Sequence, residues 1–426
     1  MSDPLLTTPE SKKQEKALLV GLESHGLTRW DVRESLDELA ELATTAGATV
    51  VGSVTQKLDQ PTAPYYIGKG KAEEIAGLCS TNSATSVIFD DELSPAQGRN
   101  LEKLTSCKVL DRTQLILDIF AQRARSREGR LQIELAQLQY LLPRLTRMWG
   151  HLSRQSGGIG TRGPGETQLE VDRRRVQERI ARLTRELVEV RKHRGIQRDG
   201  RRRHHWPVIA VVGYTNAGKS TLLNLLTGAG VLAEDKLFAT LDPTTRQLVL
   251  PNNQKVLLTD TVGFIKKLPH TVIESFKATL EEVTEADLLL HIVDASHPQF
   301  LDQMDAVDAV IAELQAHGKQ TITVFNKVDR FESPDMLAGH LERHPGSVAI
   351  SARTGLGLDT LLDELIHRLS SWRLRGHYRI PVSESALLAE IHRVGHVTNI
   401  TYEEDVALVH ANIPPELQPR LASYQA

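Results

Sequence analysis

The chain has 426 residues, of which 40% are hydrophobic, and a formal net charge of −3. This composition excludes a largely disordered chain and favours several folded domains. Two cysteines, Cys79 and Cys107, are too few for a disulfide framework or a zinc cluster. We therefore expect both to be small core residues, and we expect the protein to work in a reducing cytoplasm. No apolar run is long enough to span a membrane, and the start Met1-Ser-Asp-Pro does not resemble a secretory signal.

The first part of the chain is predicted to be a disordered tail over residues 1–16, followed by an α/β subdomain over residues 17–122. Strand-like and helical runs alternate there, which predicts a small parallel sheet covered by helices. The predicted strands are Leu18–Leu22, Thr49–Thr55, Ser86–Asp90 and Lys108–Asp111, and the predicted helices are Trp30–Ala46, Lys71–Cys79 and Pro95–Leu104. The segment Gly68-Lys69-Gly70-Lys71 precedes a helix, but it lacks P-loop spacing, so we interpret it as a turn rather than a second nucleotide site.

Two helices with a heptad pattern are predicted over residues 123–199. Their apolar residues repeat at alternating intervals of three and four, which predicts an antiparallel coiled-coil hairpin with a glycine-rich tip. These residues are Leu131, Leu135, Leu138, Leu142, Leu145 and Trp149 in the first helix and Val176, Ile180, Leu183, Leu187 and Val190 in the second.

The hairpin region is also strongly basic. Residues 123–206 contain 21 Lys and Arg against 9 Asp and Glu, a net charge of +12, so the rest of the chain carries −15. Such a contrast predicts contact with an RNA backbone, because phosphate neutralisation dominates nucleic-acid affinity; a solvated helical surface is the alternative. The predicted RNA-binding residues are Arg154, Arg162, Arg173, Arg174 and Arg175. Residues 200–206 form a basic linker, which is either a plain connection or a further RNA contact.

A phosphate-binding loop begins the next domain, predicted over residues 207–373. The apolar run Val208–Val212 leads into Gly213-Tyr-Thr-Asn-Ala-Gly-Lys219-Ser220 and then into a helix. In such a loop the backbone N–H groups surround the phosphates, the lysine binds the β and γ oxygens, and the Ser hydroxyl binds Mg²⁺. The segment therefore predicts nucleoside triphosphate binding.

Three later motifs supply the other parts of a GTP site. The first, Asp260-Thr-Val-Gly263, places an acid that holds Mg²⁺ through water and an amide that reaches the γ-phosphate. The second, Asn326-Lys-Val-Asp329, follows a strand, and Asp329 matches the N1–H and 2-amino donors of guanine. The third, Ser351-Ala-Arg353, resembles the loop that supports the base in GTPases.

The segments on either side of Asp260 concern the switch threonine and the catalytic residue. Thr240 is our choice for the hydroxyl that closes over Mg²⁺, because Phe238-Ala-Thr-Leu resembles the switch segment of Obg-like GTPases; Thr244 and Thr245 are chemically equivalent rivals. Phe264 stands where Ras-like enzymes place the glutamine that orients the attacking water, so the catalytic residue is unknown apart from the transition-state charge of Lys219. Either the intrinsic rate is low and a partner completes the site, or backbone and ions position the water; a nucleotide switch without hydrolysis is the third alternative. Asn216 and the apolar Phe264 resemble the pattern of GTPases that recruit K⁺ near the phosphates, and this resemblance makes K⁺ a candidate second ion.

The predicted nucleotide-binding residues are Gly213, Tyr214, Thr215, Asn216, Ala217, Gly218, Lys219, Ser220, Thr221, Phe238, Ala239, Thr240, Leu241, Asp242, Asp260, Thr261, Val262, Gly263, Asn326, Lys327, Val328, Asp329, Ser351, Ala352 and Arg353. Of these, Ser220 and Thr240 are the predicted direct Mg²⁺ ligands. A small α+β domain is predicted over residues 374–426, from an amphipathic segment Leu387–Val394 and two strand-like pieces, Val397–Tyr402 and Val406–Ala411. We assign no ligand-binding residues to it.

Three segments together are typical of one family: Tyr66-Ile-Gly-Lys-Gly-Lys71, Gly157-Gly-Ile-Gly-Thr-Arg-Gly-Pro-Gly-Glu-Thr-Gln168, and Phe264 after Asp260-Thr-Val-Gly263. With them the chain resembles the HflX family, in the Obg-HflX group of P-loop GTPases. It implies a monomeric cytoplasmic GTPase that binds the large ribosomal subunit, is stimulated by it, and dissociates 70S ribosomes during stress or stalling. The alternative is a GTP-gated factor that remodels or assembles large-subunit rRNA, with ATP-dependent unwinding as one variant.

Overall fold

The computed structural model describes residues 15–24, 26, 28–145, 168–202, 206–228, 237–267, 280–331 and 337–426, and it describes side chains of the long second hairpin helix for residues 170–190. Most of the predicted N-terminal tail, Trp149, and the glycine-rich tip with Arg154 and Arg162 lie outside these residues. The chain divides into two compact units, residues 1–185 with 267–275, and residues 186–266 with 276–426. Each unit is described by itself.

The first unit contains a four-stranded parallel sheet, which confirms the predicted parallel α/β fold class. The strand order is β2-β1-β3-β4. The strands are β1 (Lys16–Glu23), β2 (Thr49–Lys57), β3 (Ser86–Phe89) and β4 (Lys108–Asp111), and the helices are α1 (Arg29–Thr45), α2 (Lys69–Asn82), α3 (Pro95–Thr105) and α4 (Arg112–Arg123). Helix α4 was not predicted as a separate element. It begins where the Asp111 carboxylate accepts the N–H of Gln114 at 2.9 Å, which caps the helix.

Both predicted hairpin helices are present as α5 (Arg127–Leu145) and α6 (Gln168–Arg202). Arg179 of α6 donates two hydrogen bonds to Glu134 of α5, at 2.7 and 2.9 Å. On α6 the predicted apolar residues face inward to different degrees: Leu183 and Leu187 are buried, and Val176, Ile180 and Val190 are partly buried.

Helix α5 also contacts the sheet of the first unit. Tyr140 donates to the Asp111 carboxylate at 2.6 Å, and Arg144 donates to the same oxygen at 3.1 Å. Burial beside Asp111 raises the pKa of the Tyr140 hydroxyl, so it stays a proton donor. Helix α5 therefore packs against the sheet as well as against α6.

The second unit contains a six-stranded sheet with order β10-β9-β8-β5-β7-β6. All neighbouring strands are parallel except β6, which is antiparallel to β7. The strands are β5 (Val208–Gly213), β6 (Thr244–Val249), β7 (Lys255–Asp260), β8 (Leu288–Asp294), β9 (Thr321–Asn326) and β10 (Val348–Ala349), and the helices are α7 (Lys219–Thr227), α8 (Phe300–Glu313), α9 (Ala338–Arg343) and α10 (Leu358–Arg368). The central strands are continuous apolar runs because helices cover both faces of a parallel sheet.

A short 3₁₀ turn, Ser370–Trp372, leads from α10 into a three-stranded antiparallel sheet with order β11-β13-β12. Its elements are β11 (Leu374–Pro381), α11 (Ser385–Val394), β12 (His396–Glu403), β13 (Val406–Ile413) and α12 (Gln418–Leu421). Strand β11 was not predicted, since Gly376 and Pro381 weaken its strand pattern. Within the ranges that the structure describes, no helix combines the length and apolarity needed to cross a bilayer.

Candidate nucleotide site

The loop between β5 and α7 has a backbone that only glycine fits at two positions. Gly213 has φ of 148°, and a Cβ there would lie 2.2 Å from the carbonyl oxygen of Ile292. Gly218 has φ of 99°, and its Cβ would lie 2.2 Å from Nδ2 of Asn326. The loop is therefore closely packed against β8 and against the end of β9, which holds it in one shape.

Lys219 is buried at the first position of α7. Its ammonium donates to the carbonyl oxygens of Gly213 at 3.1 Å and Tyr214 at 2.6 Å. Burial lowers the pKa of Lys219 to about 8; the nearby Asp260 carboxylate opposes this effect and the charge of Lys327 adds to it. A cation held in this way gains most from a multiply charged anion placed beside it, as a triphosphate would be.

Three oxygen-bearing side chains meet beside Lys219. Ser220 Oγ donates to Asp260 Oδ2 at 2.6 Å, and Thr240 Oγ1 donates to the same atom at 2.9 Å. The two hydroxyl oxygens are 2.8 Å apart. The other carboxylate oxygen of Asp260, Oδ1, is buried with no hydrogen-bond partner among the described residues.

This cluster fits Mg²⁺, which prefers oxygen ligands and often keeps several waters. Burial raises the pKa of Asp260, while the hydrogen bond from Ser220 and the charge of Lys219 oppose that shift. A dication would strongly favour the charged carboxylate. Of the rival threonines, Thr245 lies on β6 with its hydroxyl 2.9 Å from that of Thr259, and Thr244 lies opposite Asp260 in the β6–β7 register.

A cleft opens above this cluster. Its lining residues are Thr215, Asn216, Gly218, Lys219, Ser220, Thr221, Phe238, Ala239, Thr240, Thr261 and Gly263. Most of the predicted phosphate-side residues therefore line one cavity. Leu241 and Val262 are only 3% and 6% exposed. Asp242 follows Leu241 and is partly exposed.

The two base-recognition motifs lie together at the carboxyl ends of β9 and β10. Asn326 donates to the carbonyl of Ala217 at 2.8 Å and accepts the N–H of Ala352 at 2.9 Å. Ser351 Oγ donates to Asp329 Oδ1 at 2.7 Å. The N–H of Val328 donates to the Ile350 carbonyl at 3.2 Å. The predicted motifs 326–329 and 351–353 thus form one connected loop pair, in which Arg353 is exposed.

Lys327 has a partner that the sequence did not suggest. Its ammonium lies 2.7 Å from Asp294 Oδ2, at the carboxyl end of β8. Lys327 has φ of 63°, a left-handed backbone that side chains rarely adopt. The sequence did contain one signal for this pair: Asp294 is an acid at the carboxyl end of a buried strand, and ligand sites form at that edge of parallel sheets.

Phe264 follows DTVG and has a fixed backbone. The N–H of Thr215 donates to its carbonyl at 2.8 Å, and its own N–H donates to the Gly213 carbonyl at 3.1 Å. The phenyl ring is 2% exposed. The Tyr214 hydroxyl accepts the N–H of Lys266 at 2.7 Å, a further tie that the sequence did not suggest. Phe264 thus supports the loop and presents no polar side chain to the cleft.

Of the predicted RNA contacts, Arg173, Arg174 and Arg175 are exposed near the start of α6. Arg175 is 3.9 Å from Asp172. Arg154 and Arg162 are among the residues outside the described ranges.

A parallel α/β sheet, a phosphate loop followed by a helix, and the linked 326–329 and 351–353 loops define a P-loop GTPase. Three family models match in chain order: GTP-binding GTPase N-terminal over residues 33–121, GTP-binding GTPase Middle Region over 123–201, and 50S ribosome-binding GTPase over 208–327.

Named relatives extend over nearly the whole chain. The GTPase HflX of Lacrimispora saccharolytica is 49% identical over 409 residues, covering 96% of each chain. That of Caldanaerobacter subterraneus is 47% identical, covering 97% of this chain and 94% of the relative. That of Escherichia coli K12 is 46% identical, covering 87% and 88%. The chain belongs to the HflX GTPase family, and it hydrolyses GTP.

Proposed function

We propose that this GTPase binds the large ribosomal subunit, which completes its hydrolytic site, and that it separates 70S ribosomes into subunits when they stall or during stress. It acts in the cytoplasm as a monomer. The observation that carries the proposal is Phe264, whose ring is 2% exposed and whose backbone is bonded to Gly213 and Thr215. A site without a water-orienting side chain at this position has a low intrinsic rate, so a partner that supplies one controls the reaction.

In the proposed site, Lys219 neutralises the β and γ oxygens of GTP and stabilises the charge that develops on the transferred phosphoryl group. Ser220 and Thr240 hold Mg²⁺ directly and Asp260 holds it through water. When bound, the ion neutralises phosphate charge. Asp329 accepts two hydrogen bonds from guanine, and the bond from Ser351 orients it. Asn216 lines the cleft and is the residue that would favour K⁺ as a second cation.

Two further observations support a ribosomal partner. A family model described as a 50S ribosome-binding GTPase matches residues 208–327. The region of residues 123–206 has a net charge of +12, and three consecutive arginines, 173–175, are exposed on α6. We propose that these arginines contact rRNA phosphates, with Arg154 and Arg162 as further contacts.

Sedimentation of intact 70S ribosomes tests the proposal. With the protein and a non-hydrolysable GTP analogue, we expect the 70S peak to decrease and free subunits to appear. If the protein instead sediments with large subunits while the 70S peak is unchanged, the rRNA remodelling alternative is favoured. A variant with Arg173, Arg174 and Arg175 all replaced by Gln should bind subunits more weakly and with a shallower salt dependence. A matched variant replacing the exposed Lys57, Lys69 and Lys103 should retain the parent's salt dependence.

A further inference from the structure

A second cleft lies in the second unit, between the six-stranded sheet domain and the C-terminal α+β domain. Trp206, just before β5, and Trp372, at the end of the 3₁₀ turn, both line it and are half-buried. Its cavity volume is about 140 Å³. None of its lining residues lines the GTP cleft.

The cleft contains a buried charge to which the described residues supply no counter-ion. Arg373 is 8% exposed, and its Nη1 and Nη2 donate to the carbonyl oxygens of Asn412 at 3.3 Å and Val394 at 3.2 Å. Its Nε has no hydrogen-bond partner among the described residues. Burial lowers the pKa of Arg373. Buried guanidinium groups are usually paired with carboxylates, so an anion in this cleft would relieve an uncompensated positive charge.

The rim of the cleft adds two more cations. The ammonium of Lys255 lies 5.3 Å from the centre of the Trp206 ring. Arg393 is exposed, and its ion pair with Glu390 is long, at 3.8 Å. Among the described lining residues Glu416 is the one carboxylate, so three cations face one anion. This excess of cations on the lining favours an anionic ligand.

The cleft combines two tryptophan rings with lysine and arginine side chains, and this combination suits a nucleotide. Bases stack on aromatic faces whatever their identity, and basic side chains bind the phosphate. We propose that this cleft binds one nucleotide unit, its base against the tryptophan rings and its phosphate near Lys255, Arg373 and Arg393. The unit comes either from a free nucleotide or from one position of a single-stranded RNA. This site is separate from the GTP site and does not rest on the proposed ribosomal function.

Binding of uridine compounds tests the proposal. Because the GTP site prefers guanine, we would saturate it with GDP and then titrate uridine 5′-monophosphate and a short oligouridylate, following tryptophan fluorescence and calorimetry. The variant carrying Lys255→Gln and Arg393→Gln should weaken binding by roughly tenfold or more, because it removes two charged donors. A matched control carries Arg375→Gln and Arg379→Gln, on exposed positions of β11 outside the cleft.

The fluorescence response has its own control. Trp206→Phe should remove part of the quenching on binding while a stacking ring remains. GDP affinity and thermal unfolding should be unchanged in all three variants, which shows that the fold is intact.

Saturable binding of either compound that the Lys255 and Arg393 changes weaken, and that the control changes do not, supports the site. Binding of the oligouridylate alone identifies RNA as the source, and binding of both shows that a free nucleotide suffices. Absence of saturable binding by either compound overturns the proposal. It is also overturned if the cleft variant binds like the parent, or if the control variant loses as much affinity.

Discussion

The side-chain amide of Asn326 donates to the main-chain carbonyl of Ala217 at 2.8 Å, and this bond ties the base-recognition loop to the phosphate loop. The same amide accepts the N–H of Ala352 at 2.9 Å. One buried side chain, 2% exposed, therefore connects three segments that are far apart in sequence.

Replacing Asn326 with Ala should leave two buried backbone groups without partners. Each such group costs about 1–3 kcal/mol, so GTP affinity should fall at least tenfold, and the GTPase (G) domain, predicted over residues 207–373, should unfold more easily. Calorimetry with GDP and GTP measures the affinity. Asn399→Ala, on an exposed position of β12, is the control. Unchanged affinity in the Asn326 variant would show that the bond does not organise the site.

Replacing Asp329 with Asn should change the base preference. The Asn keeps Oδ1, which accepts the Ser351 hydroxyl, so the loop should stay in place. It exchanges one acceptor for a donor, so GTP should weaken, and xanthosine triphosphate, which has a carbonyl where guanine has an amino group, should be favoured. The loss for GTP can reach about 10⁴-fold. Competition binding of the two nucleotides measures the effect, with Asp363→Asn as the surface control. Equal GTP affinity in parent and variant would refute the assignment of Asp329.

Which threonine binds Mg²⁺ can be tested with the variants Thr240→Val and Thr245→Val. Valine has nearly the same shape as threonine but lacks the hydroxyl. The Thr240 hydroxyl is 2.9 Å from Asp260 Oδ2 and 2.8 Å from Ser220 Oγ, so its loss should lower hydrolysis about tenfold or more and raise the Mg²⁺ concentration required. Thr245 is bonded to Thr259 instead, and its loss should affect stability more than catalysis. Magnesium titrations of turnover distinguish the two. A larger catalytic loss in the Thr245 variant would transfer the role to β6.

His291 on β8 should make the G domain sensitive to acid. Burial lowers its pKa to about 4, helped by the positive charges of Lys219 and His344. Between the unfolded pKa of about 6.5 and the folded value, the unfolded chain binds a proton that the folded chain does not, so stability falls as pH falls; above that window the group has no effect.

The replacement His291→Met should therefore make the free energy of unfolding depend less on pH. The parent should lose roughly 2 kcal/mol more stability than the variant between pH 7 and pH 5. The relevant unfolding transition is the one whose midpoint rises when GDP is added, because only the folded G domain binds the nucleotide. Parallel pH profiles in parent and variant would show that His291 does not titrate in this way.

The local parts of the site could be predicted from sequence because each depends on a short segment. The loop from Gly213 to Ser220 fixes its own geometry through glycines, a lysine and a hydroxyl, and the parallel strands appear as apolar runs. The fold class and the GTPase activity were predicted correctly for this reason.

Other contacts depend on packing between distant segments. The pair of Lys327 and Asp294 requires β8 and β9 to be neighbours, and no local pattern specifies that. The Asp111 carboxylate binds Tyr140 and Arg144, which requires α5 to lie against the sheet. Strand β11 was missed because glycine and proline weaken its pattern, although pairing with β13 compensates for both.

The central claim is that the large ribosomal subunit completes the hydrolytic site that Phe264 leaves without a polar side chain. The most direct measurement is GTP turnover with and without isolated large subunits, in K⁺ and in Na⁺. We expect at least a tenfold increase with subunits, which is about 1.4 kcal/mol of barrier, and a smaller effect of K⁺ through Asn216. Equal rates in the two salts would remove only the ion. Equal rates with and without large subunits would contradict the account.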